Sequence, residues 1–175
     1  QDVSFMRSTL KVMGIYVEDE NGVSLSTINL ADVRLEHILQ IIKEFIIGSS
    51  VDGKKNFSEL YQLLTSPDNH IGMKKGIIPI YIAVVLHFYK KYIVIMKNGK
   101  EMEINARLLE SINNAPSEYD IYLEQWDSEK ENYIQILEKS FSPYIRATEK
   151  EYNNFEYIVK ALQRWYLQLP KYVKE

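Results

Sequence analysis

The chain has 175 residues, 46% of them apolar, which is enough to bury an ordinary core in one domain or in one domain with an appended subdomain. Its 21 basic residues against 24 acidic ones exclude a global field for polyanions, so nucleic-acid binding would need a local basic patch. Cysteine is absent, which removes disulfides, thiolate metal sites and thiol nucleophiles together; this fits a reducing compartment, and the expected location is the cytoplasm.

The chain opens Gln1-Asp2-Val3 without Met or a secretory leader and stops at Lys174-Glu175, so the expectation is a domain excised from a larger protein. Phe5, Met6, Thr9, Val12 and Met13 recur at helical spacing before Gly14, which predicts a short first helix closed by a residue that tolerates positive φ. Residues 15–19 and 23–27 flank Asn21-Gly22 and predict a small hairpin whose connection is longer than the ideal two residues. Leu35, Ile38, Leu39, Ile42, Phe45 and Ile46 then follow the i, i+3, i+4, i+7 rule, with Asn29 or Asp32 as N-cap and Gly48 as the stop. Asn56 and Glu59 form a capping-box pattern ahead of Leu60, Leu63 and Leu64, and Pro67 closes that second helix.

The third helix, 78–91, carries Pro79 in its first turn, where a missing N–H costs nothing. The apolar run at its start, 77–86, is about half the length of a bilayer span, so it reads as a central buried helix and no membrane partner is expected. Residues 92–96 are apolar and β-branched, Lys97-Asn98-Gly99-Lys100 is a type I′ signature, and Met102 and Ile104 resume the alternation. Pairing Lys97 with Lys100 places Ile95 opposite Met102 and Ile93 opposite Ile104 on the core face, with Met96 opposite Glu101 and Val94 opposite Glu103 on the other.

Asn105 caps a helix carrying Leu108, Leu109 and Ile112 that ends by Pro116, and the aromatic-rich stretch 119–126 predicts a third strand beside the hairpin. Ser128 with Glu131 and Thr148 with Glu151 are further capping boxes. They open helices carrying Ile134, Leu137 and Phe141, then Phe155, Val159, Leu162, Tyr166 and Leu169, with Ser142-Pro143 as the turn between and Pro170 as the stop. The expected fold class is α+β, mainly helical. A winged-helix-like three-helix core with a β-hairpin and a third strand occupies 1–127, and a C-terminal helical pair occupies 128–175, as a subdomain or as part of one continuous domain.

Few residues combine into catalytic chemistry. Residues 48–55, Gly-Ser-Ser-Val-Asp-Gly-Lys-Lys, match G-x-x-x-x-G-K but place Lys55 where a phosphate loop needs a hydroxyl for Mg²⁺, and they follow a helix where the loop needs a strand. His37, His70 and His87 lack the i, i+3 or i, i+4 spacings of helical metal sites. Asp120 and Glu124 on one strand would stand about 13 Å apart, too far for a tight carboxylate pair. Ser49, Ser50 and Ser58 lack a nucleophile-elbow motif. No cofactor, metal or catalytic residue is expected. The three-helices-then-hairpin order does suggest a winged helix, with Lys74, Lys75, Lys90, Lys91, Lys97 and Lys100 as the candidate contact residues for nucleic acid or a protein partner. DNA is not favoured, because the third helix offers apolar residues on every side instead of a face that reads base edges.

The motif Phe5-Met6-Arg7-Ser8-Thr9-Leu10 before Gly14-Ile15-Tyr16, the run 72–80 from Gly72-Met73-Lys74-Lys75 to Pro79-Ile80, the Asn-Gly hairpin and the final Trp165-Tyr166 and Leu169-Pro170-Lys171-Tyr172 come in a distinctive order. Together they resemble the region downstream of the ATPase core in very large bacterial P-loop ATPases of phage-defence loci, the BREX-type ATPases and their relatives. The resemblance implies a parent that hydrolyses ATP in defence against foreign DNA. This segment would be a non-catalytic accessory domain whose partners are the remainder of the parent chain or another subunit, and the family's phosphate-binding loop and acidic metal ligand belong to another segment. The isolated chain is therefore expected neither to bind nor to hydrolyse ATP. Calorimetric titration with Mg-ATP should give no saturable heat; micromolar binding abolished by Lys54→Ala would contradict this.

Overall fold

Residues 10–20, 22–67, 71–150 and 155–170 are described by the structure, a computed structural model. Residues 10–12 are helical, and Gly14 at φ 79° closes the helix: its N–H donates to the Lys11 carbonyl at 3.1 Å while the Ile15 N–H reaches the Leu10 carbonyl at 3.0 Å. These two bonds are the Schellman pair that a positive-φ residue permits. Phe5, Met6 and Thr9 lie outside the described residues. Strands β1 (Tyr16–Asp19) and β2 (Gly22–Leu25) pair antiparallel with Asp19 opposite Gly22, so the connection has the ideal two-residue length and not the longer one expected.

Helix α1 (Val33–Val51) starts at Asp32, whose side chain accepts the Arg34 N–H at 2.8 Å. Asn29, the alternative cap, sits in the preceding turn at φ 56°. The helix runs through Gly48, against expectation, and its last bond is the Asp52 N–H to the Gly48 carbonyl. Gly53, at φ 85°, is the left-handed residue that follows the helix end. The two-residue strand β3 (Lys55–Asn56) leads into α2 (Phe57–Thr65). The capping box is formed: Asn56 Oδ1 accepts the Ser58 N–H at 3.0 Å, and Glu59 accepts the Asn56 N–H at 3.4 Å. Asn56 also donates from Nδ2 to Asp120 Oδ1 at 2.8 Å, which ties this helix start to a strand far along the chain.

Helix α3 (Ile78–Tyr89) ends two residues before the expected 91. It buries Ile78, Tyr81, Ile82, Val84, Val85 and Leu86 and packs on α1 and on α4 (Ala106–Asn114), whose N-cap is Asn105 as expected. Strands β4 (Ile93–Lys97) and β5 (Lys100–Met102) turn through Asn98 and Gly99, both at positive φ, as a type I′ connection requires. Ile95 faces Met102, Met96 faces Glu101 and Lys97 faces Lys100, which is the expected register, and the Ile93/Ile95 face is buried. β5 stops at Met102, so the expected Ile93–Ile104 pair lies beyond its end; on the other edge of β4, Ile93 lies opposite Leu123 of β6 (Tyr119–Leu123). This third strand is shorter than the expected 119–126 and runs between β3 and β4, giving the antiparallel order β3-β6-β4-β5.

Contacts divide the chain into two compact units, the described residues of Gln1–Tyr89 with Ile93–Leu123, and those of Lys90–Tyr92 with Glu124–Glu175. In the second, α5 (Ser128–Ser140) is capped by Asp127, whose carboxylate accepts the Lys130 N–H at 2.8 Å; the Ser128/Glu131 box is not used, because the helix begins one residue earlier than that pattern implied. A 3₁₀ turn at Ser142–Tyr144 takes the expected place of the Ser-Pro turn. The expected single helix from Thr148 is instead α6 (Ala147–Lys150) and α7 (Glu156–Gln168), and Glu151 lies outside the described residues. Arg164 of α7 holds the turn and α6 together, donating to the Tyr144 carbonyl at 2.7 Å and to the Glu149 carboxylate, which lowers the Glu149 pKa. The fold is α+β and mainly helical, with two small antiparallel sheets.

Ser49 on α1 is wholly inaccessible in the first unit's core, donates to the Ile46 carbonyl at 2.6 Å and accepts the Leu123 N–H at 2.9 Å. Ser49→Ala would leave that half-buried strand amide without its protein acceptor, and chemical denaturation should show a loss of about 1 kcal/mol. Unchanged stability would mean that the amide finds water.

Candidate functional site

The phosphate-loop-like run resolves into a helix end. Gly48 and the three residues after it complete the last turn of α1, so their amides serve the helix instead of forming an anion cradle, and a helix C-terminus is the negative pole. Lys55 folds back over Gly48, where a Cβ would collide with its ammonium group. It pairs with Asp52 at 3.1 Å and stands 6.0 Å from the Phe45 ring centroid. The two glycines of the run thus serve local structure: Gly48 lies within the helix beneath Lys55, and Gly53, at positive φ, turns the chain between them.

The six candidate lysines do not share one unit. Lys74 and Lys75 are exposed at the turn before α3, and Lys97 and Lys100 face each other at the β4–β5 turn, whereas Lys90 and Lys91 belong to the second unit. Lys97 is already engaged: its ammonium is 2.6 Å from Glu118, donates to the Tyr119 hydroxyl at 3.3 Å and lies 4.9 Å from that ring's centroid. The Glu118 carboxylate first, and the Tyr119 hydroxyl next, raise its pKa above the ordinary lysine value. Lys91 stands 5.9 Å from the Phe155 ring centroid. Along α3 the exposed positions are Ala83, His87 and Phe88, which present none of the bidentate groups used to read bases.

His37 is exposed on α1 and His87 near the end of α3, while His70 lies outside the described residues. Among the described residues, no three His, Cys, Asp or Glu side chains converge as a metal site. Asp120 accepts from Asn56 and Glu124 pairs with Lys130, so each carboxylate has a structural partner.

The second unit presents a different kind of surface. Trp126 and Phe155 stack with centroids 4.7 Å apart and planes 11° apart, and Tyr92 lies 5.1 Å from Trp126. Beside this stack, Tyr133 and Ile134 of α5 complete a cleft of about 470 Å³, edged by Glu129 and Lys130. No side chain of α5 is buried: Tyr133 is 61% exposed and Ile136 54%, one turn apart along the same edge. On α7, which buries Tyr157, Ile158 and Ala161, Val159 is likewise 52% exposed.

Ile134, Leu137 and Phe141 are the apolar positions expected for α5, and the exposed Tyr133 and Ile136 widen that face. A signal was there: at 100° per residue Tyr133, Ile134, Ile136 and Leu137 span about 160°, wider than contact with one neighbouring helix covers. No helix among the described residues is long and apolar enough to cross a membrane. No protein-family model, curated protein or solved structure matches the chain.

Proposed function

We propose that the chain is a non-catalytic interaction domain of a larger bacterial ATPase, of the BREX-type phage-defence kind that its motif order resembles. Its docking surface is the aromatic cleft and the outer edge of α5, and the occupant is another part of that parent or a partner subunit. The observation that carries this reading is α5, a helix of 13 residues with no buried side chain. Helices of that length are marginal in water, and their stability comes mainly from burying an apolar face. Tyr133 and Ile136 keep 61% and 54% of their surface in solvent, so a covering partner would recover roughly half of the about 1.5–3 kcal/mol that full burial of a large apolar side chain gives.

The alternative, a winged-helix DNA contact, draws less support: the Lys97 ammonium at its wing tip is held by Glu118, and the exposed positions of α3, Ala83, His87 and Phe88, supply no bidentate base-reading group. In the interaction reading, the reading frame around this segment encodes an ATPase core upstream. That core, expressed separately, should co-purify with the chain, and Tyr133→Glu with Ile136→Glu should abolish the association while leaving the circular dichroism of the chain unchanged. A surrounding frame with no ATPase motif, or a core that retains the doubly substituted chain, would contradict it.

A further inference from the structure

The first unit holds a second groove, built on different residues and independent of the reading just given. It has a volume of about 460 Å³ and lies between α1, β3 and α2, with Ile71 at one end. Phe45 is buried at its base, Ile41 and Ile71 are half-buried, and Leu63 stands exposed at its lip, so the floor is apolar. The rim is acidic. Glu44 and Glu59 are exposed carboxylates on facing helices, His37 lies on the α1 side about two turns before Glu44, and the one lysine in the lining, Lys55, is paired with Asp52 at 3.1 Å.

An apolar floor under a carboxylate rim suits a side chain with a long aliphatic stem and a cationic head, because such a side chain buries its methylenes and keeps its charge at the edge. The groove wall already accommodates one such group from within the chain: Lys55 lies 6.0 Å from the Phe45 ring centroid and delivers its ammonium to a carboxylate. Glu59 uses one oxygen to accept the Asn56 N–H, which holds that side chain on the groove's α2 side instead of leaving it to sweep through solvent. The volume is in the range of ordinary ligand clefts, about 300–1,000 Å³.

We infer that this groove binds an amphipathic basic peptide segment, with apolar residues on Ile41, Phe45 and Leu63 and an arginine or lysine head between Glu44 and Glu59. The attraction is electrostatic at the rim, so binding weakens as salt rises.

The test is fluorescence anisotropy on the whole chain with two labelled helical peptides that share one leucine stripe, the first flanked by arginines and the second by glutamates. The arginine peptide should bind saturably and at least about tenfold more tightly than the glutamate peptide, with the difference shrinking as salt rises. Glu44→Gln with Glu59→Gln, which keeps an acceptor for the Asn56 N–H, should erase most of that preference without moving the melting temperature. Tyr133→Glu with Ile136→Glu should leave it intact, which separates this groove from the second unit's surface. Equal binding of both peptides, no binding of either, or a preference that survives the double glutamine variant would each overturn the inference.

Discussion

The strand β6 must be satisfied on both edges and covered on one face, and the first unit is arranged around that requirement. Its edges are taken by β4 and by the two-residue β3, and α1 lies across it, with Ile121, Ile95, Ile42 and Ile46 essentially inaccessible to solvent. At the end of the strand, the Leu123 amide is satisfied by Ser49, a side chain 74 positions earlier, and at its start Asp120 accepts from Asn56. A polar side chain wholly inside a core is tolerated when its bonds are complete, and it then fixes a unique register more strictly than apolar contact does. The alignment of α1, the entry of α2 and the position of the hairpin all follow from where β6 is held.

Much of this frame was legible in the residues. The hairpin register followed from the Asn98-Gly99 turn and the alternation around it, and the caps at Asn56, Asp32 and Asn105 followed from their own side-chain chemistry. What was not legible depended on contacts remote in sequence. β3 exists only because β6 pairs with it, so nothing in Lys55-Asn56 alone announces a strand. Gly48 has the look of a stop because glycine is common there, yet the helix runs through it, and the placement of Lys55 over it depends on how the chain returns after Gly53. The start of α5 fell to Asp127 because an aspartate one position earlier captured the helix amides before Ser128 could.

The surfaces were legible only in part, for a related reason. Charge was visible residue by residue, but whether a lysine is available depends on its neighbours in space, and Lys97 faces a glutamate and a tyrosine. The breadth of the apolar arc on α5 was written in Tyr133, Ile134, Ile136 and Leu137, yet a wide arc acquires meaning only once the helices beside it are counted. The two units thus contrast physically: in the first, helices bury apolar faces against a sheet, while in the second, α5 keeps its apolar edge outward.

That contrast is open to direct measurement by amide hydrogen exchange on the whole chain. Amides of α1 and the Leu123 amide should exchange only through global unfolding, and amides of α5 should exchange about a hundredfold faster or more, through local opening of a helix whose side chains are at most half-buried. Protection of α5 equal to that of α1 in the chain alone would contradict the view that this helix waits for a partner to cover it.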